Sequence, residues 1–367
     1  MLPAVAAFTD TYLPTVNGVT YTVQSWRDRW EARGGQMHVV YPASSHEPAD
    51  AEHPVRSLTF PFYREFNAAL PQIPSGLDGV EVVHAHTPFT LGLAARRLAG
   101  RQNLPLVASY HTPTAEYADY LAGGVISRAI ERVAGRYEQW FLNRVDAVVV
   151  PSEPTREHLR ELGVTAPVEI VPNGVDTERF QPVGPDERAA FRERHDLPKG
   201  PLVGYTGRHG YEKELDAILE VAPEINATVV FAGDGPARSG LEARAERIDA
   251  DVRFLGFLDR AELPAFYATL DAFLFPSPVE TQGLVALEAN ACGTPVVGVN
   301  AGALADTVVD GETGYHYERG DTDGFRAGIE QALADGDRLR ERCLARRDEV
   351  AMERAVDALA DVYERVR

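Results

Sequence analysis

Hydrophobic residues along this 367-residue chain gather in short, dense runs separated by longer amphipathic stretches. In the first half the runs cover residues 3–8, 37–41, 80–84, 104–109, 146–150 and 169–171. In the second half they cover 202–205, 228–232, 252–255, 272–275 and 295–299. Runs this short, rich in Val and lacking alternation, are the pattern of parallel strands covered on both faces. Between them lie helical periods such as 19–33, where Val19, Val23, Trp26 and Trp30 share one face. Repeated strand–helix alternation predicts an α/β architecture with parallel sheets. The pattern breaks at 172–184, where Pro172-Asn-Gly-Val and Pro182-Val-Gly-Pro supply turn formers. The simplest packing is two facing Rossmann-like domains, 1–171 and 172–350, with a cleft between them. The last stretch is helical in period, and a final helix at about 351–367 is expected to cross back to the first domain.

Composition narrows the class. Hydrophobic residues at 44% and charged residues at 25% describe a globular chain rather than a disordered one. The balance of 36 basic and 55 acidic side chains, net −19, argues against nucleic acid as a partner. No run approaches the length of a membrane span. Residues 1–10 lack the basic start and cleavage site of a secretory signal, so cytoplasm is the expected location. Cys292 and Cys343 are too few for a disulfide framework or a cysteine zinc site. Only Lys199 and Lys213 are lysines. Abundant acid with little lysine suits a high-salt, halophilic cytoplasm, where a charged surface maintains solubility. A GC-rich genome drifting toward Arg and Ala explains the same bias.

Three segments carry chemistry. The loop Phe8-Thr-Asp-Thr-Tyr-Leu-Pro-Thr-Val-Asn-Gly-Val runs from a strand end to a helix start, where N–H groups can meet an anion and Gly18 permits close backbone approach. It lacks G-x-G-x-x-G, so a dinucleotide site is not indicated. In Gly204-Tyr-Thr-Gly-Arg-His-Gly-Tyr-Glu-Lys213, Arg208 and Lys213 leave a strand end five residues apart. Such a pair can neutralise a diphosphate, Arg as a fork and Lys as a point charge. Finally, Phe275-Pro-Ser-Pro-Val-Glu-Thr-Gln-Gly-Leu places Glu280 in a loop before a helix starting near Gly283, whose first N–H groups face an anion. Were Glu280 and Glu288 on one helix, about 12 Å of rise would separate them. That is too far for a hydrolytic carboxylate pair, and it suits hydrogen bonding to sugar hydroxyls better. Each feature also has a plain structural reading, as a turn glycine, surface cations or a helix-start acid.

Together these motifs resemble glycosyltransferase family 4, retaining nucleotide-sugar transferases of the GT-B fold. The likeness spans essentially the whole chain. It rests on Gly-Arg-x4-Lys, on Ala232-Gly-Asp-Gly-Pro, on Gly256-Phe-Leu-Asp-Arg, and on Glu280-x7-Glu288 followed by Ala-Cys-Gly-Thr-Pro-Val. The opening Phe-Thr-Asp-Thr-Tyr-Leu-Pro-x2-Asn-Gly-Val is similar to the lipid-glycosylating branch, with its mannosyl- and glucosyltransferases. The resemblance implies a hexosyltransferase using a UDP-, GDP- or ADP-sugar on a lipid or glycan acceptor hydroxyl. It implies that Arg208 and Lys213 hold the diphosphate, with Gly18, Gly283 and Leu284 approaching it, and that Glu288 binds the ribose. Glu280, Gln282 and Gly283 would hold the sugar, with His111 and Glu280 nearest the chemistry and Phe257 and Leu258 at the base. Asp10, Tyr12 and His86 fall on the acceptor side, and His84 and His86 are expected to face the cleft there. Two positions depart from the pattern: Glu214 where Gly or Asn is commoner, and Asn290 for a usual Met.

No metal cofactor is expected, because the cations and helix N-termini already oppose the diphosphate. The Asp-x-Asp pairs at 249/251, 321/323 and 335/337 are what chance gives in so acidic a chain. The stretch 126–144 holds Arg128, Arg132, Arg136 and Arg144 beside Ile126, Ile130, Val133 and Trp140. That is either a helix lying on an anionic membrane at the inner face of the cell or an ordinary surface helix. The alternatives to a transferase are a nucleotide-sugar epimerase of the same fold and a non-catalytic sugar-nucleotide-binding subunit.

Overall fold

The computed structural model describes residues 2–15, 17–59, 67–111 and 128–367, with the backbone alone at Thr59 and at 128–131. By its contacts the chain divides into two compact units. One is Met1–Gly174 with Met352–Arg367, and the other is Val175–Ala351.

The first unit is built on β1 (Ala4–Phe8), β2 (Gln36–Pro42), β3 (Glu52–Val55), β6 (Val82–Ala85), β7 (Leu106–Ser109), β8 (Ala147–Val150) and β9 (Val168–Ile170). These form one parallel sheet in the order β3-β2-β1-β6-β7-β8-β9. A small antiparallel pair, β4 (Ser57–Thr59) and β5 (Asn67–Ala69), lies outside it. The helix Gly18–Ala32 follows β1, capped by Asn17, whose Oδ1 accepts from the Thr20 N–H at 2.9 Å. Its predicted face, Val19, Val23, Trp26 and Trp30, is buried to 6% exposure or less. The final helix, Met352–Val366, presents Met352, Ala355, Val356, Leu359, Val362 and Tyr363 to the core of this unit.

The second unit repeats the plan with β10 (Leu202–Thr206), β11 (Thr228–Ala232), β12 (Val252–Gly256), β13 (Ala272–Phe275), β14 (Val296–Val299) and β15 (Gly314–Tyr317). The order is β12-β11-β10-β13-β14-β15, every pairing parallel. Counted from its own first strand, this is the doubly wound order 3-2-1-4-5-6 of nucleotide-binding sheets. Each of the eleven apolar runs lies on a strand. The strands without such a run sit at an edge or in the small pair: β3 reads Glu-His-Pro-Val and β15 reads Gly-Tyr-His-Tyr. An edge position needs no continuous apolar run, because one side of the strand is not covered by a neighbour.

Candidate active site

In the second unit the strand order reverses between β10 and β13. In open parallel sheets, ligands bind outside the carboxyl ends of the strands at such a point. Both chain segments leaving it carry candidates. After β10 the chain turns at Gly207, and the turn is held backbone to backbone. The Gly207 N–H donates to the Ala232 carbonyl at 3.2 Å, and the His209 N–H to that of Asp234 at 2.8 Å. Gly233, at φ +114°, passes so close that a Cβ there would stand 2.0 Å from the Gly207 carbonyl oxygen. The Ala232-Gly-Asp-Gly-Pro motif is thus the buttress of the Arg208 turn.

Arg208 then pairs with Glu212 through Nη2, four residues along. Lys213 closes a 3₁₀ turn, Tyr211–Lys213, and its Nζ lies 2.6 Å from Glu280 Oε1. The two side chains are only 17% and 15% exposed. Glu214 follows at φ +50°, the left-handed conformation that Gly or Asn adopts at lowest cost, and its carboxylate pairs with Arg319. The departure from the family pattern therefore keeps the turn and loads it with strain.

After β13 a loop carries Glu280 to Gly283, which sits at φ +75° before the helix Leu284–Ala291. A Cβ at Gly283 would come within 2.7 Å of Leu304 Cδ2, so a side chain has no room. The first intrahelical bond is made by the Ala286 N–H to the Gly283 carbonyl at 2.9 Å. The N–H groups of Leu284 and Val285 precede that bond, at the positive end of the helix. Gln282 is buried at 6% exposure.

Glu288 lies one turn further along, and its Oε2 accepts from the Tyr267 hydroxyl at 2.8 Å. Burial pushes its carboxyl up to about 7, while Tyr267, Arg260 and Arg179 pull it down. The two residues expected at the base are not brought together: Phe257 is 66% exposed, whereas Leu258 is buried in the core. Asn290 is buried, and its Nδ2 donates to the carbonyls of Thr294 and Thr313 at 2.9 and 3.1 Å.

The first unit has its own reversal, between β1 and β6. Asp10 leaves β1 there, accepting from Thr90 Oγ1 at 2.7 Å and from the Leu91 N–H at 3.1 Å. Thr87 Oγ1 adds a third donor at 2.5 Å. Asp10 thus ties the β1 loop to the start of the helix Thr90–Gln102. Burial raises its carboxyl in spite of these donors. Tyr12 is drawn elsewhere, against Tyr41 with ring centroids 4.6 Å apart, and its hydroxyl donates to Glu52 Oε1 at 2.8 Å. Gly18 is exposed at the first turn of its helix.

Three histidines form a column. Rings of His84 and His86 stack at 4.1 Å, and His86 Nδ1 meets His111 Nε2 at 3.1 Å. His84 is bonded at both nitrogens, to the Tyr363 hydroxyl at 2.6 Å and to Ser109 Oγ at 2.8 Å. Trp26 packs within 6.2 Å of all three rings. Only His111 of the column is half-buried; His84 and His86 are 0% and 2% exposed. The expectation that His84 and His86 open toward an acceptor is thereby corrected. Residues two apart on a strand share a face, and this face is roofed by the helix Gly18–Ala32 and by Tyr363. Burial pushes His84 down to about 3 and His111 to about 4. All three rings are neutral near pH 7.

Among the described residues no three His, Cys, Asp or Glu side chains converge as metal ligands do. Asp251 pairs with Arg253, Asp335 with Arg338, and Asp321 caps the helix Thr322–Ala334. Sequence reasoning missed Tyr267, Arg179 and the role of Arg260. Arg260 closes a motif already noticed, but nothing in a seven-residue apolar helix singles out the Tyr267 hydroxyl.

Comparison with known proteins places the chain in a family and a fold. Residues 16–179 match the model of Glycosyltransferase Family 4, and residues 187–347 that of Glycosyl transferases group 1. The chain is 31% identical to a GDP-mannose-dependent alpha-mannosyltransferase of Mycolicibacterium smegmatis, covering 99% of this chain and 97% of that one. It is 28% identical to the alpha-monoglucosyldiacylglycerol synthase of Streptococcus pneumoniae, over 91% of this chain and 79% of the relative. Its fold superposes on Anabaena HepE, solved with UDP, at a TM-score of 0.80 and 17% identity, over 99% of this chain and 100% of that one. Two doubly wound units of this kind, with a cation–carboxylate site at a switch point, define a glycosyltransferase of the GT-B fold. More narrowly, the chain belongs to glycosyltransferase family 4.

Proposed function

We propose that this enzyme moves a hexosyl group from a nucleotide-diphosphate sugar to the hydroxyl of a membrane glycolipid or glycan precursor, with retention at the anomeric carbon. The observation that carries the reading is the meeting of Lys213, Glu280 and the N-terminus of the helix Leu284–Ala291 at the β10/β13 switch point. Arg208 and Lys213 take the diphosphate, aided by the N–H groups of Gly283 and Leu284. As the anomeric C–O bond breaks, charge grows on the departing diphosphate. Donors already fixed around it stabilise that charge, each removal costing on the order of 10²–10³ in rate. Glu280 and Gln282 accept from and donate to sugar hydroxyls, Glu288 accepts from the ribose, and of the two residues expected at the base the exposed Phe257 approaches it while Leu258 packs in the core beneath. Gly18 and His111 serve the same reaction from the first unit, where Asp10 and Tyr12 shape the loop. With His111 held neutral and weakly basic, the acceptor's proton passes to the departing diphosphate.

The cations and backbone donors make a metal unnecessary, so transfer persists in EDTA. Precedents are the UDP bound to the fold neighbour HepE, the GDP-mannose dependence of the Mycolicibacterium smegmatis relative and the monoglucosyldiacylglycerol made by the Streptococcus pneumoniae one. We assign the enzyme to the cytoplasmic face of the membrane as a peripheral protein. No helix among the described residues is long and apolar enough to cross a membrane. The helix Arg128–Leu142 exposes Val133 and Trp140 together with Arg132, Arg136 and the following Arg144. Guanidinium groups of Arg96 and Arg144 lie 5.3 and 4.8 Å from the Trp140 ring. Ile126 and the side chains of Arg128 and Ile130 lie outside the described residues. The test is a panel of UDP-, GDP- and ADP-sugars incubated with a membrane-lipid extract and read by mass spectrometry. Hexosylated lipid formed in EDTA is the expected product. An epimerised donor formed without acceptor would instead identify an isomerase, and no turnover of any donor a binding subunit.

A further inference from the structure

Glu288 is the ribose ligand of the proposed function, and the following inference rests on that reading. Its carboxyl stands in an environment that disfavours charge. The helix that carries it is capped by Cys292, which is fully buried, and the helix Leu263–Thr269 packs beside it with every residue from Pro264 onward buried. A carboxylate accepting from two ribose hydroxyls should be ionised and fixed in rotation, or each bond is shared with a proton of its own. In this structure one group meets both needs. The Tyr267 ring is wholly buried, packed edge-on against Phe266 and Phe273 at centroid distances of 5.7 Å. Its backbone is held by the Thr294 hydroxyl, which donates to the Tyr267 carbonyl at 2.6 Å. The phenol therefore has a fixed position, and its hydroxyl donates to Glu288 Oε2 at 2.8 Å.

We propose that Tyr267 is a positioning residue for donor recognition: its hydroxyl anchors Glu288 Oε2, keeping Oε1 as the acceptor for the ribose diol. Tyr267 touches neither the diphosphate nor the transferred sugar in this role. It acts through Glu288. The groups facing Glu288 are Tyr267 on its own packed helix, Arg260 after β12, Arg179 after the seam, and Cys292 at the end of the Glu288 helix. Burial holds the carboxyl up at about 7, and the Tyr267 hydroxyl is the first group opposing it. Removing the hydroxyl shifts the titration of Glu288 to higher pH, and diol recognition then fails at a pH where the native enzyme still has it.

The test compares binding of UDP with that of its 2′,3′-dideoxy analogue by calorimetry, with the GDP and ADP pairs run in parallel. The wild-type enzyme should prefer the ribonucleotide by about tenfold or more, as hydrogen bonds to a charged group predict. Tyr267→Phe should reduce that preference at least threefold near pH 7 while leaving the affinity for inorganic pyrophosphate unchanged. It should also raise the donor KM with kcat within twofold of wild type. If wild type shows no ribose preference with any nucleotide, the Glu288 reading fails and this inference with it. If wild type shows the preference and Tyr267→Phe retains it in full, Tyr267 alone is wrongly assigned. Should the variant not fold, Tyr267→Met, which also lacks the hydroxyl and adapts to a buried apolar site, takes its place: it should lose the ribose preference in the same way, and a full preference in that protein overturns the proposal.

Discussion

Lys213 Nζ and Glu280 Oε1 lie 2.6 Å apart, joining two loops that are 67 residues distant in sequence. One loop follows β10 and the other follows β13, so this ion pair bridges the switch point of the second sheet. Each partner is the counter-charge of the other before any donor arrives. In the proposed function, a diphosphate drawn to Lys213 would also free the Glu280 carboxylate for sugar hydroxyls.

At 17% and 15% exposure the pair stands between a surface bridge, worth about 0–1 kcal/mol, and a buried one whose halving costs about 3–5 kcal/mol. A double-mutant cycle with Lys213→Met and Glu280→Gln should therefore give a coupling of about 1–2 kcal/mol in urea unfolding of the second unit. Strict additivity of the two changes would show that the pair is not formed in solution.

Glu288 gives a stability cost with a defined pH window. Folded, it holds its proton up to about 7, whereas the unfolded chain releases it near 4.5. Between those values the unfolded state binds fewer protons, so this group lowers stability as pH rises. Glu288→Gln should stabilise the second unit at pH 8 by about 1–3 kcal/mol relative to its effect at pH 4.5. Urea midpoints at the two pH values test this, and an equal effect at both would contradict it. The same variant should bind nucleotide less well, as expected where function is bought with strain.

Glu214 offers the opposite trade. A residue with a Cβ at φ +50° costs about 1 kcal/mol relative to glycine, and the exposed Arg319 bridge returns less than that. Glu214→Gly should raise the melting temperature slightly, while Glu214→Val should lower it. A drop for the glycine variant would mean that the Arg319 pairing dominates.

The histidine column predicts acid sensitivity in the first unit. His84 and His111 titrate at about 3 and 4 when folded, against 6.5 in the free side chain, and His86 is also lowered. Below pH 6.5 the unfolded chain takes up protons that the folded one refuses, so stability is lost as pH falls toward 4. The loss is about 1.4 kcal/mol per pH unit for each such group. Asp10, whose carboxyl is raised, works in the other direction at the acid end. All three tryptophans, Trp26, Trp30 and Trp140, belong to the first unit, so their fluorescence reports it alone. Urea midpoints read this way should fall from pH 7.5 to 5, and less steeply in His86→Gln. Parallel profiles for the two proteins would contradict the assignment.

Much of this was legible in the sequence because of how parallel sheets bury their strands. A strand covered on both faces has to be apolar throughout, so runs such as Thr228–Ala232 and Ala272–Phe275 announce themselves. An edge strand need not, and of the four strands that edge the two parallel sheets β9 and β12 were marked by a run whereas β3 and β15, which carry histidine and Glu52, were not. In the candidate site the charged positions were legible because charge on a strand-end loop has few other uses, and with just two lysines in the chain Lys213 stood out. Tyr267 was not legible. Its neighbours are all core residues, and its partner is 21 positions away on another helix. The burial of His84 was hidden for a similar reason, since Tyr363, which caps it, arrives from the far end of the chain.

The most direct test is sugar transfer by wild type, Arg208→Ala and Lys213→Ala, with each protein's fold verified by circular dichroism. With the donor selected from the nucleotide-sugar panel, wild type should form a product whose anomeric configuration matches the donor. Each variant should transfer about 10²–10³-fold more slowly. Transfer at the wild-type rate by a folded Lys213→Ala protein would contradict the site, and an inverted product would contradict the proposed stereochemistry.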